Sequence, residues 1–107
     1  MKSGDKYIWT GHSQYKMRYY GLSPQRIKRI IRYPARTEEA IVPGMIGVMC
    51  SDKKQEIWAM YQIVKSKFKN QNSKFRIITA WRYPGKSPAR NPIPRGILEE
   101  IKSICLL

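Results

Sequence analysis

The sequence predicts an α+β domain: two N-terminal helices packed on a sheet of roughly four antiparallel strands, then a short C-terminal helix, with the helices on one face of the sheet. Three observations predict it. Apolar residues recur at helical spacing in the first third of the chain and again near its end. Ile, Val, Trp, Tyr and Phe crowd the middle. Short clusters of Gly, Pro, Asn, Ser and Lys separate the middle segments, which favours a meander. The 107 residues fit one domain with a thin core, and no internal repeat is present.

Each element follows from its residues. Residues 1–10 are a lead-in with a short strand at "KYIW". "GHSQYKMRYY" is a helix closed by Gly21, a residue suited to the left-handed position after a helix. "SPQRIKRIIRYP" is a second helix, with Ser23 as N-cap, Pro24 in the first turn and Pro34 as the stop. Ile27, Ile30 and Ile31 turn to the core, while Arg26, Lys28, Arg29 and Arg32 fall largely on the other side. "EEAIV", "MIGVMC", "EIWAMYQIVKSKF" and "KFRIITAW" are the strands. "RYPGKSPARNPIPRG" is a docked, proline-limited basic loop over 82–96. Residues 97–105 close the chain as an amphipathic helix with Ile97, Ile101 and Ile104 on one side. The core of the domain falls within residues 11–83.

Charge is the dominant global fact. Lys and Arg number 21 against 7 Asp and Glu, a formal net charge of +14. So basic a chain points to a polyanion: nucleic acid, an anionic surface or an acidic protein. Cys50 and Cys105 have no metal-ligand spacing and, with a single histidine, no zinc site is readable. They are expected as two buried free thiols. No motif calls for a cofactor. The absence of a signal-like or membrane-length apolar stretch leads to the expectation of a cytoplasmic protein. A membrane-surface role is disfavoured, since the isoleucines of the second helix pack inward.

His12 is the one side chain whose ordinary pKa, about 6.5, lies near neutrality. Positions 12, 16 and 20 are successive i, i+4 steps, so His12, Lys16 and Tyr20 share a helix face. A base or acid, a cation and a phenol line up there. Those are the groups that metal-free RNA cleavage needs to move protons and to stabilise a phosphorane.

The same residues carry a resemblance. His12, Lys16, Met17, Tyr20, Gly21 and Leu22 resemble a His-x3-Arg-Met-x2-Arg-Gly-Ile pattern. That pattern opens a small uncharacterised family grouped with the RelE-like toxins, whose members continue with a second helix and a meander closing on Ile-Ile-Thr, here Ile77-Ile78-Thr79. Lys16 and Tyr20 depart from it, each standing where the family has Arg. Lys keeps the charge and loses the bidentate grip; Tyr loses the charge. The resemblance implies a RelE-like fold and a metal-independent ribonuclease acting as a toxin beside an acidic antitoxin. It also implies catalytic roles for His12, Lys16, Arg82 on phosphate and Tyr83 in stacking or proton transfer. Tyr20, Arg29, Arg32, Arg36, Lys86 and Arg90 are the nucleic-acid contacts.

Plainer readings stand beside these. His12 can be a cap or a packing residue, Lys16 and Arg18 solvated charges, and Tyr15, Tyr19 and Tyr20 a half-buried core edge. The cations of the second helix can be a general electrostatic patch. Trp58 and Trp81 read as core. Glu99 and Glu100, adjacent on a helix, point in different directions and form no carboxylate pair. Three functions follow in order: an RNA-directed toxin or nuclease, a non-catalytic RNA- or DNA-binding module, and an accessory that docks on an acidic partner.

Overall fold

Thr10 starts the first helix: its hydroxyl accepts from the Ser13 amide at 3.1 Å while Ser13 Oγ donates back to the Thr10 carbonyl at 2.8 Å. Gly21 ends it with φ 68°, and the Leu22 amide reaches back to the Met17 carbonyl at 2.8 Å, closing a Schellman turn. Ser23 then caps the next helix through the Arg26 amide at 3.1 Å, with Pro24 in its first turn. The computed structural model describes residues 6–39, 44–65, 73–87 and 95–105. Its elements are β1 (Tyr7–Trp9), α1 (Gly11–Tyr20), α2 (Pro24–Arg32), β2 (Arg36–Glu39), β3 (Ile46–Asp52), β4 (Gln55–Val64), β5 (Lys74–Pro84) and α3 (Arg95–Cys105).

The strands form one sheet in the order β1-β5-β4-β3-β2. β2 to β5 are antiparallel, and β1 joins β5 in parallel. The fold is α+β, but with five strands in a mixed sheet rather than about four antiparallel ones. The fifth is the short "KYIW" strand. The expected "EEAIV" strand is instead Arg36–Glu39, and residues 40–43 lie outside the described residues. β5 continues through Arg82 and Tyr83, which pair with Ile57 and Glu56, so both belong to the sheet and not to a loop.

The helices do not share one face. β4 is buried without interruption from Glu56 to Tyr61, so both sides of the sheet need cover. One side packs Ile57, Ala59, Tyr61 and Ile77 against Ile27 and Ile30 of α2 and Met17 of α1. The other packs Met49, Trp58, Met60 and Trp81 against Ile97 and Ile101 of α3. Trp58 and Trp81 are paired across β4 and β5, stacked at 5.8 Å and fully buried. Cys50 is a free thiol, half-buried rather than buried; nothing is described of the Cys105 side chain.

α1 takes the place of a strand along the edge of β5. The Thr10 hydroxyl donates to the Ile77 carbonyl at 2.7 Å, and Arg82 Nε donates to the Tyr20 carbonyl at 2.8 Å. Ten helical residues span about 15 Å, and the five steps from Ile77 to Arg82 span about 17 Å. The two lengths match, so one helix lies beside β5 where β1 stops. From that edge it sends Met17 to one core, while Tyr20 packs against both.

Candidate functional site

The edge position of α1 decides what its reactive face meets. His12, Lys16 and Tyr20 turn toward α3, where Glu100 receives them. Lys16 Nζ lies 3.0 Å from Glu100 Oε1, and His12 Nε2 lies 3.8 Å from the same oxygen. Neither His12 Nε2 nor Glu100 Oε1 makes a hydrogen bond, and both atoms are buried, so the contact with Lys16 is an ion pair without hydrogen-bond alignment. Lys16 is 9% exposed, and its ammonium sits 5.5–5.8 Å from the ring centroids of Tyr15, Tyr19 and Tyr20. Burial lowers the His12 pKa below its ordinary value; Glu100 opposes this and Lys16 reinforces it, so the ring is neutral at pH 7. Burial raises the Tyr20 phenol, against the pull of Lys16.

Sequence spacing thus brings His12, Lys16 and Tyr20 together, and the missed member is Glu100. It sits one residue before Ile101 and three after Ile97, at the border of the buried stripe of α3. The adjacency of Glu99 hides this in the sequence, where nothing sets either acid against a distant cation.

Arg82 does not join them. It faces the α2 side of the sheet, where Nη1 meets Asp52 Oδ2 at 3.3 Å and Gln55 Oε1 at 3.2 Å. Its Nε caps the C-terminal end of α1, eight residues and about 12 Å of helix from His12. Tyr83, the next residue on the strand, points to the opposite side and packs against the α3 core. The proposed phosphate and stacking partners are therefore on different faces.

Arg36 is also committed internally. It lies 5.0 Å over the Trp58 ring, pairs with Glu38 at 2.9 Å, and donates to Ser87 Oγ at 2.8 Å. Glu56 accepts from Ser87 Oγ at 2.6 Å and Trp58 Nε1 at 3.0 Å. Burial pushes the Glu56 pKa up, yet the hydrogen bonds from Ser87 and Trp58 together with Arg36 outweigh it and hold the carboxyl below its ordinary range. This network pins the segment after β5 to the sheet. Lys86, just before it, is exposed. Arg90 lies outside the described residues.

α2 presents the opposite situation. It carries Arg26, Lys28, Arg29 and Arg32 and no acid. Arg26 pairs with Asp52 at 3.3 Å, and Lys28 lies 5.2 Å over the Tyr7 ring. The Arg29 and Arg32 side chains are exposed, and among the described residues neither has an ion-pair partner. Two hollows run along this face. One of about 310 Å³ is lined by Ser23, Gln25, Arg26 and Arg29, and one of about 260 Å³ by Gln25, Lys28, Arg29, Arg32 and Tyr33. Arg29 and Gln25 line both. Tyr33 at its end is 71% exposed. A row of cations with an open aromatic ring can hold successive phosphates and a base face.

Among the described residues no group of three His, Cys, Asp or Glu side chains stands together, and no helix is long and apolar enough to cross a membrane. Comparison with protein-family models, with curated proteins and with solved structures gives no match.

Proposed function

We propose that the protein is a non-catalytic nucleic-acid-binding module that holds RNA by its phosphates along the outer face of α2. The observation that carries this reading is the exposed pair Arg29 and Arg32, set on a helix without acids in a chain of net charge +14. The helix fixes the spacing of the charges along the hollows, so only their side chains have to be ordered on binding. Lys86 and the hairpin lysines Lys53 and Lys54 add exposed positive charge at the end of the sheet where Arg82 lies.

A metal-independent, RelE-like ribonuclease acting as a toxin is the second reading. The gathering of His12, Lys16 and Tyr20 on one face favours it, as does the order of two helices followed by a meander ending on Ile77-Ile78-Thr79. Against it, His12 Nε2 is buried toward Glu100, and Arg82 is held on the far side of the sheet. Proton transfer requires the acid or base to lie within hydrogen-bond reach of the reacting group. An acidic partner such as an antitoxin would fit the α2 face by charge alone and is an outcome of the same test.

The test is RNA binding by fluorescence anisotropy over a salt series, with intact RNA checked on a gel in EDTA. The wild type binds single-stranded RNA and leaves it uncut. Arg29→Ala/Arg32→Ala lowers the slope of log K against log salt by roughly 1.4, at about 0.7 per lost contact on single strands. At 0.1 M salt that is roughly a 25-fold weaker complex. Cleavage that persists in EDTA and disappears in His12→Ala selects the nuclease. Absence of RNA binding even at low salt removes both RNA readings and leaves the acidic partner.

A further inference from the structure

A third hollow lies near the N-terminal end of α2, and its lining differs in kind. It measures about 310 Å³ and is lined by Trp9, Gln14, Met17, Arg18, Leu22 and Pro24. Met17 and Leu22 are core residues and form an apolar floor. Trp9 is half-buried, held by its ring contact with Tyr7 at 6.0 Å and an interplanar angle of 28°. Gln14 is oriented by donation from its Nε2 to the Trp9 carbonyl at 3.1 Å, which leaves the amide oxygen free to accept. Arg18 is exposed, and among the described residues its side chain has no ion-pair partner. Pro24 adjoins Ser23 and Gln25, which line the first cationic hollow. An aromatic-walled apolar slot therefore lies beside the cationic hollows at the start of α2.

We propose that this hollow receives one unstacked nucleobase of a single-stranded nucleic acid, against Trp9, while α2 holds the phosphates that follow. The proposal rests on the nucleic-acid reading above and adds the substrate class. Its volume lies at the bottom of the range for small-molecule sites, about 300–1,000 Å³, which suits one heteroaromatic ring system. The apolar floor and indole wall favour a base face, Gln14 Oε1 can accept from an exocyclic amine, and Arg18 can meet the adjoining phosphate or the ring. A duplex cannot use the site without extruding a base, so paired strands bind through α2 alone.

Tryptophan fluorescence tests this directly. Trp58 and Trp81 are fully buried, so a quencher that arrives from solvent reports Trp9. The wild type is titrated with an eight-residue single-stranded oligoadenylate and with an abasic sugar–phosphate oligomer of equal length, following both anisotropy and tryptophan emission. The expected result is binding of both, with quenching by the oligoadenylate only and a roughly five- to hundred-fold tighter complex for it, the range for one stacked base. Trp9→Phe keeps a ring and retains most of the base-dependent gain. Trp9→Leu loses that gain while retaining the salt slope, with circular dichroism verifying its fold. Equal affinity and equal quenching for the two oligomers overturn the base pocket and leave phosphate binding by α2 standing. Failure of both oligomers to bind overturns the parent reading together with this one.

Discussion

Lys16 of α1 and the outer arginines of α2 meet opposite surroundings. On α1, Lys16 is buried, ringed by three tyrosines and neutralised by Glu100. On α2, Arg29 and Arg32 stand in solvent with no acid on their helix. The difference comes from position. α1 occupies the edge of β5 and is flanked by α3, whereas α2 lies over one face of the sheet and has only its isoleucine side covered. The cluster that reads as reactive in sequence is the one whose lysine the fold pairs with an acid.

Acid placement makes the same point. Glu38, Asp52, Glu56 and Glu100, four of the seven acidic residues, each pair with a cation inside the fold. Where acids are so scarce, these four mark structural ion pairs, and Arg29 and Arg32 of α2 are among the cations they leave without one. A buried pair costs desolvation that its Coulomb attraction repays only with good geometry. The comparison can therefore be broken by removing either partner of the α1–α3 pair, because the two losses are unequal.

Glu100→Leu should have the larger effect. It strands a nearly buried ammonium without its carboxylate, and we expect unfolding free energy in urea to fall by about 1–3 kcal/mol, discounted from the 3–5 kcal/mol of fully buried pairs because Glu100 is partly exposed. RNA affinity should remain within about twofold, since α2 is untouched. A 25-fold loss of RNA binding from this variant would mean that α1 and α3, not α2, hold the nucleic acid.

Lys16→Met should cost less. The thioether fills the space among the tyrosines, and the Glu100 side chain, 38% exposed, can turn to water. A change below about 1 kcal/mol in either direction is expected. A loss equal to that of Glu100→Leu would show that packing around residue 16, and not the stranded charge, dominates the seam.

Most helix boundaries are legible because caps are local: Gly21, Ser23 and Pro24 mark the end of one helix and the start of the next within a few residues of chain. The buried run of β4 was legible as a strand, but its consequence, a second covered face, was not drawn from it. Which side of the sheet α3 covers depends on contacts between Ile97 or Ile101 and residues such as Met49, far away in sequence. The site divides the same way. Helical spacing places His12, Lys16 and Tyr20 on one face, whereas Glu100 requires knowing that α3 returns to α1. Arg82 and Tyr83 are separable from sequence once they are assigned to a strand, since neighbours on a strand point to opposite sides. Trp9 was passed over because its segment is too short to show a pattern.

The smallest effect is also the most specific to the closed cluster. Because burial lowers the His12 pKa, the unfolded chain binds a proton near pH 6.5 that the folded protein resists. The unfolded state then holds more protons, so stability rises with pH in this window and falls as the solution is acidified below about 6.5. The loss stops growing once pH drops beneath the lowered folded value, where both states are protonated. Glu56 contributes in the same sense at lower pH: its stabilisation is present above its ordinary carboxylate range and is lost as pH falls through its lowered folded value. The two can be separated by variant. His12→Gln should flatten urea-unfolding free energies just below about pH 6.5 while leaving the drop in the carboxylate range, and it should leave RNA binding at pH 7 unchanged. The single histidine also gives one imidazole resonance to follow by NMR. Its midpoint should move down in Glu100→Leu, which removes the carboxylate that favours the charged ring, and up in Lys16→Met, which removes the ammonium that disfavours it. A midpoint indifferent to both variants would place His12 outside the pair, and the contrast between the paired lysine of α1 and the solvated arginines of α2 would then rest on Lys16 and Glu100 alone.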